Sequence, residues 1–362
     1  MAGWADRLPA FPWDTLARHA EVARGYRDGI VDLSMGTPVD PVPDVIRSAL
    51  ANRTDTPGYP AVHGTEAVRA AAAAWLARRF AVRVTGDAVL PTIGSKELVA
   101  LLPLLLGAGP GQRVLHPRLA YPTYEVGARL AGCVPVAVDG PPDDPDGVAL
   151  VWLNSPSNPT GRVLGVAELR EWVAWGRRHG VPVVSDECYL EFGWEVDPVS
   201  VLHPSVCDGT PQGVLIVHSL SKRSNLAGYR AGVVTGDPAL VAGLLAVRKH
   251  AGLMVPAPVQ AAMAAAFADD AHVAVQRERY AARRVALGSA LRRAGFRIDH
   301  SEAGLYLWAS RDEDCWETVS WLAGRGILVA PGAFYGVDGA RHVRVALTAT
   351  DERVSAAVAR LG

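Results

Sequence analysis

Residues 214–230 read VLIVHSLSKRSNLAGYR, and this stretch decides which fold the chain can adopt. It begins as an apolar run of strand length and ends in two serines and Lys222, with Arg230 eight residues further on. Open α/β sheets form their ligand sites where polar side chains follow the carboxyl ends of buried strands. The stretch therefore predicts a strand that presents a nucleophile and anion-binding hydroxyls at one edge of a sheet.

Taken alone, Ser219-x-x-Lys222 also fits the Ser-x-x-Lys pattern of penicillin-binding proteins and β-lactamases. A serine acyl-enzyme of that type needs Ser-Asp-Asn and Lys-Thr-Gly motifs further along the chain. This chain has Ser-Asp-Glu at residues 185–187, before the serine, and it contains no Lys-Thr-Gly. The acyl-enzyme hypothesis is therefore the weaker one.

Strand-like runs alternate with helical patterns through the first two thirds of the chain. Strands are expected near residues 30–34, 89–93, 113–116, 134–138, 149–153, 181–185 and 231–235, and helices near residues 13–24, 44–51, 65–80, 98–106 and 167–179. Several of these strands are continuously apolar, which is typical of strands buried on both faces. We predict an α/β fold whose mostly parallel sheet is covered by helices on both faces.

The pattern changes from about residue 256 to a long alanine-rich helix, broken near residues 269–270 and continuing to Arg293. Alternating strand-like pieces and a final helix from Asp351 follow it. This shift predicts two domains. Residues 45–270 would form a large domain, and residues 1–44 together with 271–362 would form a smaller α+β domain.

Composition narrows the function classes. The 362 residues are 49% hydrophobic and 20% charged with a formal net charge of -1, which is typical of a soluble globular protein without a nucleic-acid or membrane partner. The four cysteines are scattered and do not cluster with histidine, so neither a disulfide framework nor a metal site is expected. No signal-peptide core and no uncharged run of about 18 residues is present, so a cytoplasmic location is expected.

Two of the predicted loops suit a phosphate and a fixed amide. Gly94-Ser95-Lys96 stands between a strand and a helix N-terminus, where backbone N–H groups and the helix dipole favour an anion. Residues 154–161, NSPSNPTG, form a rigid turn that can fix an amide donor in space. An ordinary capped helix and a plain turn are the alternatives for these two loops.

Two other loops suit a buried cation and a covalent cofactor. Asp186 ends an apolar strand and Tyr189 follows it; a carboxylate in a low-dielectric site prefers a cationic partner, although a structural cap is the alternative. Lys222 is the only lysine between Lys96 and Lys249 in an arginine-rich chain. Lysine can form a Schiff base and arginine cannot, so Lys222 is the predicted covalent group.

Together and in this order, these motifs resemble the fold type I pyridoxal-phosphate enzymes of the class I/II aminotransferase family, over essentially the whole chain. The matching motifs are Gly36-x-Pro38, Gly58-Tyr59, Gly94-Ser95, Tyr121-Pro122, Asn158-Pro159-Thr160-Gly161, Asp186-x-x-Tyr189, Ser219-x-Ser221-Lys222 with Arg230, and Arg344. The resemblance implies an aspartate-aminotransferase-like fold, a pyridoxal 5′-phosphate cofactor and transaminase activity.

The resemblance also implies the catalytic residues, which are Lys222, Asp186 and Tyr189. Lys222 would form a Schiff base with pyridoxal 5′-phosphate and would move a proton during transamination. Asp186 would keep the pyridine nitrogen of the cofactor protonated. Asn158 and Tyr189 would hydrogen-bond the phenolic oxygen of the ring, and Tyr121 would stack on its face.

The remaining implied roles concern the cofactor's phosphate and the substrate. The phosphate would be held by Ser95, Ser219, Ser221 and Arg230, with Lys96 either beside them or turned towards the substrate. Tyr59 would reach the phosphate from a neighbouring subunit, which implies a homodimer with shared active sites. Arg344 would clamp the substrate α-carboxylate, with Gly36 and Asn158 beside it.

Three stretches give a narrower resemblance, FPWDTL at residues 11–16, SMGTPVDP at 34–41 and SDECYL at 185–190. They resemble the actinobacterial N-succinyldiaminopimelate aminotransferases. The implied reaction exchanges an amino group between N-succinyl-LL-2,6-diaminopimelate and 2-oxoglutarate, with glutamate as the second amino acid, in lysine biosynthesis. The alternatives are another class I/II aminotransferase with aspartate or a similar donor, and a pyridoxal-phosphate-dependent C–S β-lyase. A transcription regulator on this fold is disfavoured, because no DNA-binding domain fits before Gly36.

Overall fold

The structure is a computed structural model that describes residues 8–362. Its strands are β1 Val31–Asp32, β2 Val89–Ile93, β3 Arg113–Pro117, β4 Val134–Val138, β5 Val148–Asn154, β6 Val183–Asp186, β7 Val214–Ser219, β8 Ala231–Gly236, β9 Arg297–Asp299, β10 Tyr306–Ser310, β11 Ile327–Leu328, β12 Ala330–Pro331 and β13 Val343–Ala346.

Thirteen α-helices accompany these strands in the described residues. They are α1 Ala17–Arg24, α2 Asp44–Ala51, α3 Glu66–Phe80, α4 Gly94–Leu105, α5 Thr123–Leu130, α6 Val166–His179, α7 Pro204–Cys207, α8 Leu220–Arg223, α9 Pro238–Ala251, α10 Ala257–Ala268, α11 Ala271–Arg293, α12 Cys315–Ala323 and α13 Asp351–Leu361.

Seven strands form the central sheet, in the order β2-β8-β7-β6-β5-β3-β4. Strands β3 to β7 are mutually parallel, and only β8 runs against its neighbours β7 and β2. The carboxyl ends of β5, β6 and β7 therefore lie side by side. The sequence prediction of a mostly parallel sheet is confirmed.

Helices cover both faces of this sheet because alternate strand side chains enter two separate cores. Leu215 and Val217 of β7 pack with side chains of α4, α5 and α9. Val214 and Ile216 pack on the opposite face with side chains of α3, α6 and α10. Each fully buried side chain of this size stabilises the fold by about 1.5–3 kcal/mol, so the continuously apolar strands contribute much of the free energy that stabilises the sheet.

A second, antiparallel sheet in the order β12-β13-β10-β9 is formed near the C-terminus. The early strand β1 pairs in parallel with β11, so residues near position 31 lie beside residues near position 327. Side chains of α1, α11, α12 and α13 share one core with this region. The N-terminal segment thus packs with the C-terminal third of the chain; the domain boundaries at residues 45 and 270 stay predictions.

A buried ion-pair network fastens the N-terminal segment to this region. The Arg283 guanidinium donates to both carboxylate oxygens of Asp40, at 2.7 and 2.8 Å, and to Asp351 at 2.6 Å. Gln276 also donates to Asp40, at 2.7 Å. Because Arg283 is 2% exposed, this network acts in a low-dielectric environment.

Five helices were not assigned from the sequence, and one begins earlier than expected. The unassigned helices are α5, the two four-residue helices α7 and α8, α9 and α12. Asp237 caps α9 and Asp314 caps α12, and such caps can be recognised in a sequence. Helix α4 begins at Gly94, whereas the sequence suggested an apolar helix from Leu98. Ser95 and Lys96 of its polar first turn line a cavity. Within residues 8–362 no helix is long and apolar enough to cross a membrane.

Candidate active site

A cavity of about 490 Å³ opens where β5, β6 and β7 end. Among its lining residues are all but one of the predicted site residues, namely Gly36, Ser95, Lys96, Tyr121, Asn158, Asp186, Tyr189, Ser219, Ser221, Lys222, Arg230 and Arg344. Such a volume suits a cofactor together with a small substrate. The structure therefore brings together side chains that come from positions more than 300 residues apart.

Tyr59 is the predicted residue that the structure does not bring to this cavity. Its side chain is 98% exposed on the loop before α3. An exposed aromatic side chain at this position is compatible with a role in a neighbouring subunit's site. That role stays a prediction.

An anion cradle is formed at the N-terminus of α4. Gly94 has a φ of +71°, and a Cβ atom there would lie 2.7 Å from Arg230 Cζ, so only glycine lets this guanidinium approach the helix start. Ser95 follows Gly94, and Ser219 and Ser221 line the same end of the cavity. The helix N–H groups, the hydroxyls and the guanidinium together suit a phosphate group.

Asp186 is a buried carboxylate at the end of β6. Within the described residues its carboxylate accepts hydrogen bonds from the Tyr124 hydroxyl at 3.0 Å and from the Cys188 backbone N–H at 3.2 Å, both neutral donors. Burial raises the pKa of Asp186 above its usual value. A cationic group on a ligand would strongly stabilise the ionised form of this buried carboxylate.

The turn after β5 is held by Asn154. Its side-chain amide donates to the backbone carbonyl of Asp186 at 2.9 Å, and its oxygen accepts from the Asn158 backbone N–H at 2.7 Å. Asn158 Oδ1 in turn accepts from Arg344 at 2.8 Å. Asn154 therefore fixes the position of Asn158, the residue whose amide the sequence analysis predicted to be held in place. The sequence analysis did not predict this role of Asn154.

Lys222 lies in helix α8 directly after β7, and its amine donates to the Gly36 carbonyl. Burial lowers the pKa of Lys222, and the nearby Arg344 and Arg230 guanidiniums act in the same direction. A lysine with a lowered pKa has more of the neutral amine that nucleophilic attack requires. Ser219 does not pair with this amine: its hydroxyl caps α8 by accepting from the Ser221 N–H at 3.1 Å. The serine acyl-enzyme hypothesis has no support in this geometry.

The residues that follow Lys222 fix the position of its loop through buried polar contacts. Arg223 is buried, lies 3.3 Å from Glu191 and donates to the Ala266 carbonyl at 2.8 Å. Ser224 Oγ lies 2.8 Å from His272 Nε2, and His272 Nδ1 lies 2.6 Å from Asp269. This serine, histidine and aspartate are arranged as in a hydrolase triad, but Ser224 is 1% exposed. The chain of hydrogen bonds is therefore a structural anchor.

Two tyrosines and Arg344 form the wall beside Lys222. The hydroxyls of Tyr189 and Tyr306 are 2.9 Å apart, and Arg344 Cζ lies 4.0 Å over the Tyr306 ring. Arg344 also donates to the Ser34 carbonyl at 2.7 Å, while its buried Nε has no partner within the described residues. A guanidinium with spare donors facing a cavity suits a carboxylate ligand.

Aromatic side chains form the outer rim of the cavity. Lys96 Nζ lies 5.7 Å from the ring centroid of Phe11 and 5.6 Å from that of Tyr121. Trp13 completes the rim. Lys96 therefore points its charge towards the rim between two rings, a position from which it can meet a ligand that extends out of the cavity.

Tyr124 and Tyr306 are functional candidates that the sequence analysis missed. Tyr124 lies in the first turn of α5, whereas Tyr121 precedes that helix, and the two rings pack edge-on with their centroids 5.9 Å apart. Tyr306 lies in the alternating strand β10 and gave no distinct signal. His218, next to Ser219, packs edge-on against Trp75 at 4.9 Å, as an ordinary core residue does.

These groups fit pyridoxal 5′-phosphate. The cradle at Gly94 and Arg230 matches its phosphate, the buried Asp186 lacks only a cationic partner such as a protonated pyridine nitrogen, and Lys222 offers an amine to its aldehyde. The fold and this set of donors define a fold type I pyridoxal-phosphate enzyme.

Comparison with known proteins gives the family. Residues 28–361 match the family described as Aminotransferase class I and II, and the chain belongs to it. The chain is therefore a pyridoxal-phosphate-dependent aminotransferase, as the sequence motifs predicted.

Two relatives are highly similar over nearly the whole chain. The 4-dedimethylamino-4-oxo-anhydrotetracycline transaminase OxyQ of Streptomyces rimosus is 61% identical over 98% of this chain and 99% of its own. The probable aminotransferase Rv1178 of Mycobacterium tuberculosis is 63% identical over 99% of this chain and 86% of its own. A solved structure, the probable N-succinyldiaminopimelate aminotransferase of Thermus thermophilus, is 29% identical over 97% of this chain and 99% of its own, with a TM-score of 0.85.

Proposed function

We propose that the protein transfers an amino group between N-succinyl-LL-2,6-diaminopimelate and 2-oxoglutarate, within lysine biosynthesis. The observation that carries the proposal is a pair of cations in one cavity, Arg344 on its inner wall and Lys96 at its rim. If Arg344 binds the α-carboxylate of a substrate with a long side chain, the anion at the end of that side chain would extend towards Lys96. The likeness to the Thermus thermophilus protein supports this choice of substrate.

The proposed roles of the cofactor-binding residues follow from the cavity wall. Ser95, Ser219, Ser221, Arg230 and the N-terminus of α4 would bind the phosphate. Asp186 would hold a proton on the pyridine nitrogen, and Tyr121 would cover the ring. When bound, pyridoxal phosphate supplies an electron sink for the charge that develops on the substrate α-carbon.

The proposed roles towards the substrate are few. The Lys222 amine would bind the cofactor covalently and, once freed, would move a proton between the substrate α-carbon and the cofactor's C4′ carbon. Arg344 would orient the α-carboxylate, and the backbone of Gly36, whose Cα lies against the Tyr306 hydroxyl, would lie beside it. Asn158 and Tyr189 would hydrogen-bond the phenolic oxygen of the ring. We also propose a homodimer in which the partner subunit's Tyr59 completes each phosphate site.

A second candidate substrate is a polycyclic aromatic ketone. The aromatic rim of Phe11, Trp13 and Tyr121 favours it, since flat rings stack on such side chains. The name of the Streptomyces rimosus relative, a transaminase acting on an oxo-anhydrotetracycline, supports the same idea.

The two candidates and the β-lyase alternative are separated by one assay. Purified holoenzyme is given glutamate, N-succinyl-LL-diaminopimelate, aspartate or cystathionine as donor, and 2-oxoglutarate or 4-oxo-anhydrotetracycline as acceptor. We expect turnover with the succinylated donor to exceed that with aspartate by roughly 10- to 100-fold in kcat/KM, since the contact of Lys96 with the far anion separates them. Preferred use of the tetracycline ketone would select the second candidate, and pyruvate release from cystathionine would select a lyase.

Lys222→Ala is the matched test of the site. The chain has three lysines, of which Lys96 and Lys222 line the cavity while Lys249 is exposed on α9. Lys222→Ala should lose turnover and the visible absorbance of bound cofactor, whereas Lys249→Ala should keep both. Wild-type activity in Lys222→Ala would refute the assignment.

A further inference from the structure

The pair of hydroxyls on Tyr189 and Tyr306 is more than a packing contact. Their oxygens are 2.9 Å apart, and both rings are buried. The Tyr306 hydroxyl also abuts Gly36, because a Cβ atom at that glycine would overlap it, and the Gly36 carbonyl accepts from Lys222. The hydroxyl pair therefore stands beside the lysine amine and the carboxylate clamp.

We infer that Tyr306 is a positioning residue that sets the direction of the Tyr189 hydroxyl hydrogen. A phenol has one hydrogen to donate and can also accept. When Tyr306 donates to Tyr189 Oη, the single hydrogen of Tyr189 is left to point into the cavity. When Tyr306 has lost its proton to solvent, its phenolate oxygen accepts that hydrogen and turns it away from the cavity.

Charged and titratable groups from all sides face the Tyr306 hydroxyl. They come from α8, from the segment after β6, from α11, from β13 and from the turn after β12, and they are Lys222, Cys188, Tyr189, Tyr280, Arg344 and Tyr335. Burial by itself raises the pKa of Tyr306, but Arg344, Lys222 and the hydrogen bond from Tyr189 outweigh it and lower that pKa below its usual value. Burial raises the pKa of Tyr189. Tyr306 is therefore the member of the pair that ionises first on the alkaline side.

In this assignment Tyr306 affects the reaction indirectly, by orienting the hydroxyl of Tyr189. The consequence for catalysis rests on the proposed function, in which Tyr189 donates towards the phenolic oxygen of the cofactor. The hydroxyl pair itself is present without that assumption. A titration of cofactor-free protein therefore tests the pair separately from the function.

Tyr335→Phe is the matched control. Tyr335 is a second buried phenol over Arg344, at 4.9 Å, but its hydroxyl has no partner within the described residues. Burial raises the pKa of Tyr335. Removing its hydroxyl leaves the Tyr189–Tyr306 pair intact, and both this variant and Tyr306→Phe keep the aromatic ring that packs on Arg344.

The experiment follows phenolate absorbance against pH in cofactor-free protein. Wild type and Tyr335→Phe should show one phenol that ionises at lower pH than the others, and Tyr306→Phe should lose that step. In Tyr189→Phe the step should move to higher pH, because the phenolate loses its hydrogen-bond donor. Persistence of the step in Tyr306→Phe, or its absence in wild type, would overturn the inference. Circular dichroism of each variant checks that the fold is kept.

The second measurement uses holoenzyme and the absorbance of bound cofactor against pH, with kcat measured alongside. In wild type both should change in the alkaline range as Tyr306 ionises, and in Tyr306→Phe the change should move up by at least about one pH unit. An unmoved alkaline transition in Tyr306→Phe, together with a confirmed phenol titration, would show that the pair exists but that Tyr189 does not act on the cofactor. That outcome would count against the proposed role of Tyr189 and against this inference.

Discussion

The pKa of Asp186 is raised because the carboxyl is buried beside neutral donors, and this lowers the stability of the cofactor-free protein. A carboxyl whose pKa is higher in the folded than in the unfolded chain favours folding at low pH, and that advantage is lost as the pH rises through the folded pKa. At neutral pH the group therefore destabilises the cofactor-free fold. A cationic ligand group removes the penalty.

Asp186→Asn should separate stability from activity. We expect the cofactor-free variant to be more stable than wild type at neutral pH by about 1 kcal/mol or more, from urea unfolding. Its kcat should fall by at least about 100-fold, because a charged partner worth about 3 kcal/mol is lost. Asp314→Asn, which changes an exposed helix cap on α12, should alter neither quantity. A variant with full turnover would contradict the role given to Asp186.

Lys96 is the residue whose role the sequence left open between phosphate and substrate. If its amine meets the far anion of the substrate, Lys96→Met should raise KM for N-succinyl-LL-diaminopimelate by roughly 10- to 100-fold, the worth of one charged hydrogen bond. KM for alanine, which has no such anion, should stay near the wild-type value. Lys249→Met is the control. Equal losses with both substrates, accompanied by weaker cofactor binding, would place Lys96 on the phosphate.

At the scale of the secondary-structure element, helix α4 begins at a glycine with a positive φ, and a second such glycine lies two residues after the helix ends. Gly94 has a φ of +71° and lies against Arg230, whereas Gly107 has a φ of +83° and has no atom within 4 Å of a Cβ placed there. Alanine at either position costs roughly 1 kcal/mol of backbone strain. Only at Gly94 does the added methyl group displace a guanidinium.

Gly94→Ala and Gly107→Ala should therefore lower the unfolding midpoint to a similar extent but differ in cofactor affinity. We expect the dissociation constant of pyridoxal phosphate to rise by at least about 10-fold in Gly94→Ala, since one charged phosphate contact is disturbed. Gly107→Ala should keep the wild-type affinity in fluorescence titration. Equal affinities in the two variants would show that the cradle does not hold the phosphate.

At the scale of the whole molecule, Arg283 joins the N-terminal segment to the C-terminal helices. Arg283→Ala leaves Asp40 buried without its cation and should destabilise the protein by about 3 kcal/mol in urea unfolding. Arg297→Ala, which breaks exposed pairs with Asp299 and Asp312, is the control and should leave the midpoint nearly unchanged.

The same network makes the stability of the fold depend on pH in the acid range. Burial tends to raise the pKa of Asp40, but hydrogen bonds from Arg283 and Gln276 outweigh it and lower that pKa. A carboxyl with a depressed pKa contributes stability above its unfolded value, and this contribution is lost as the pH falls through the folded value. Stability should therefore drop below about pH 4. Asp40→Asn should flatten this drop, and an unchanged acid profile would contradict the argument.

The sequence revealed the central sheet and most of the cavity because both depend on local patterns. Apolar strands end in short polar motifs, so Asp186 and Lys222 could be placed at strand ends without knowledge of their neighbours. Tyr124 and Tyr306 could not be found in this way, because each acts on a partner far along the chain. The Tyr124 hydroxyl meets a residue 62 positions away, and the Tyr306 hydroxyl one that is 117 positions away. Such pairs follow from the packing of the fold and leave no mark in a single sequence.

Asn158 joins the two ends of the cavity through a single side chain. Its oxygen accepts from Arg344, and its backbone is fixed by Asn154, while its amide group makes no hydrogen bond to the described residues. A ligand that fixes Arg344 also fixes this amide, so the free energies of binding at the two ends are coupled. By thermodynamic reciprocity, a dicarboxylate that tightens cofactor binding by some factor is itself bound tighter by the same factor when the cofactor is present. Cofactor loss during purification should therefore slow in buffers that contain such a dicarboxylate.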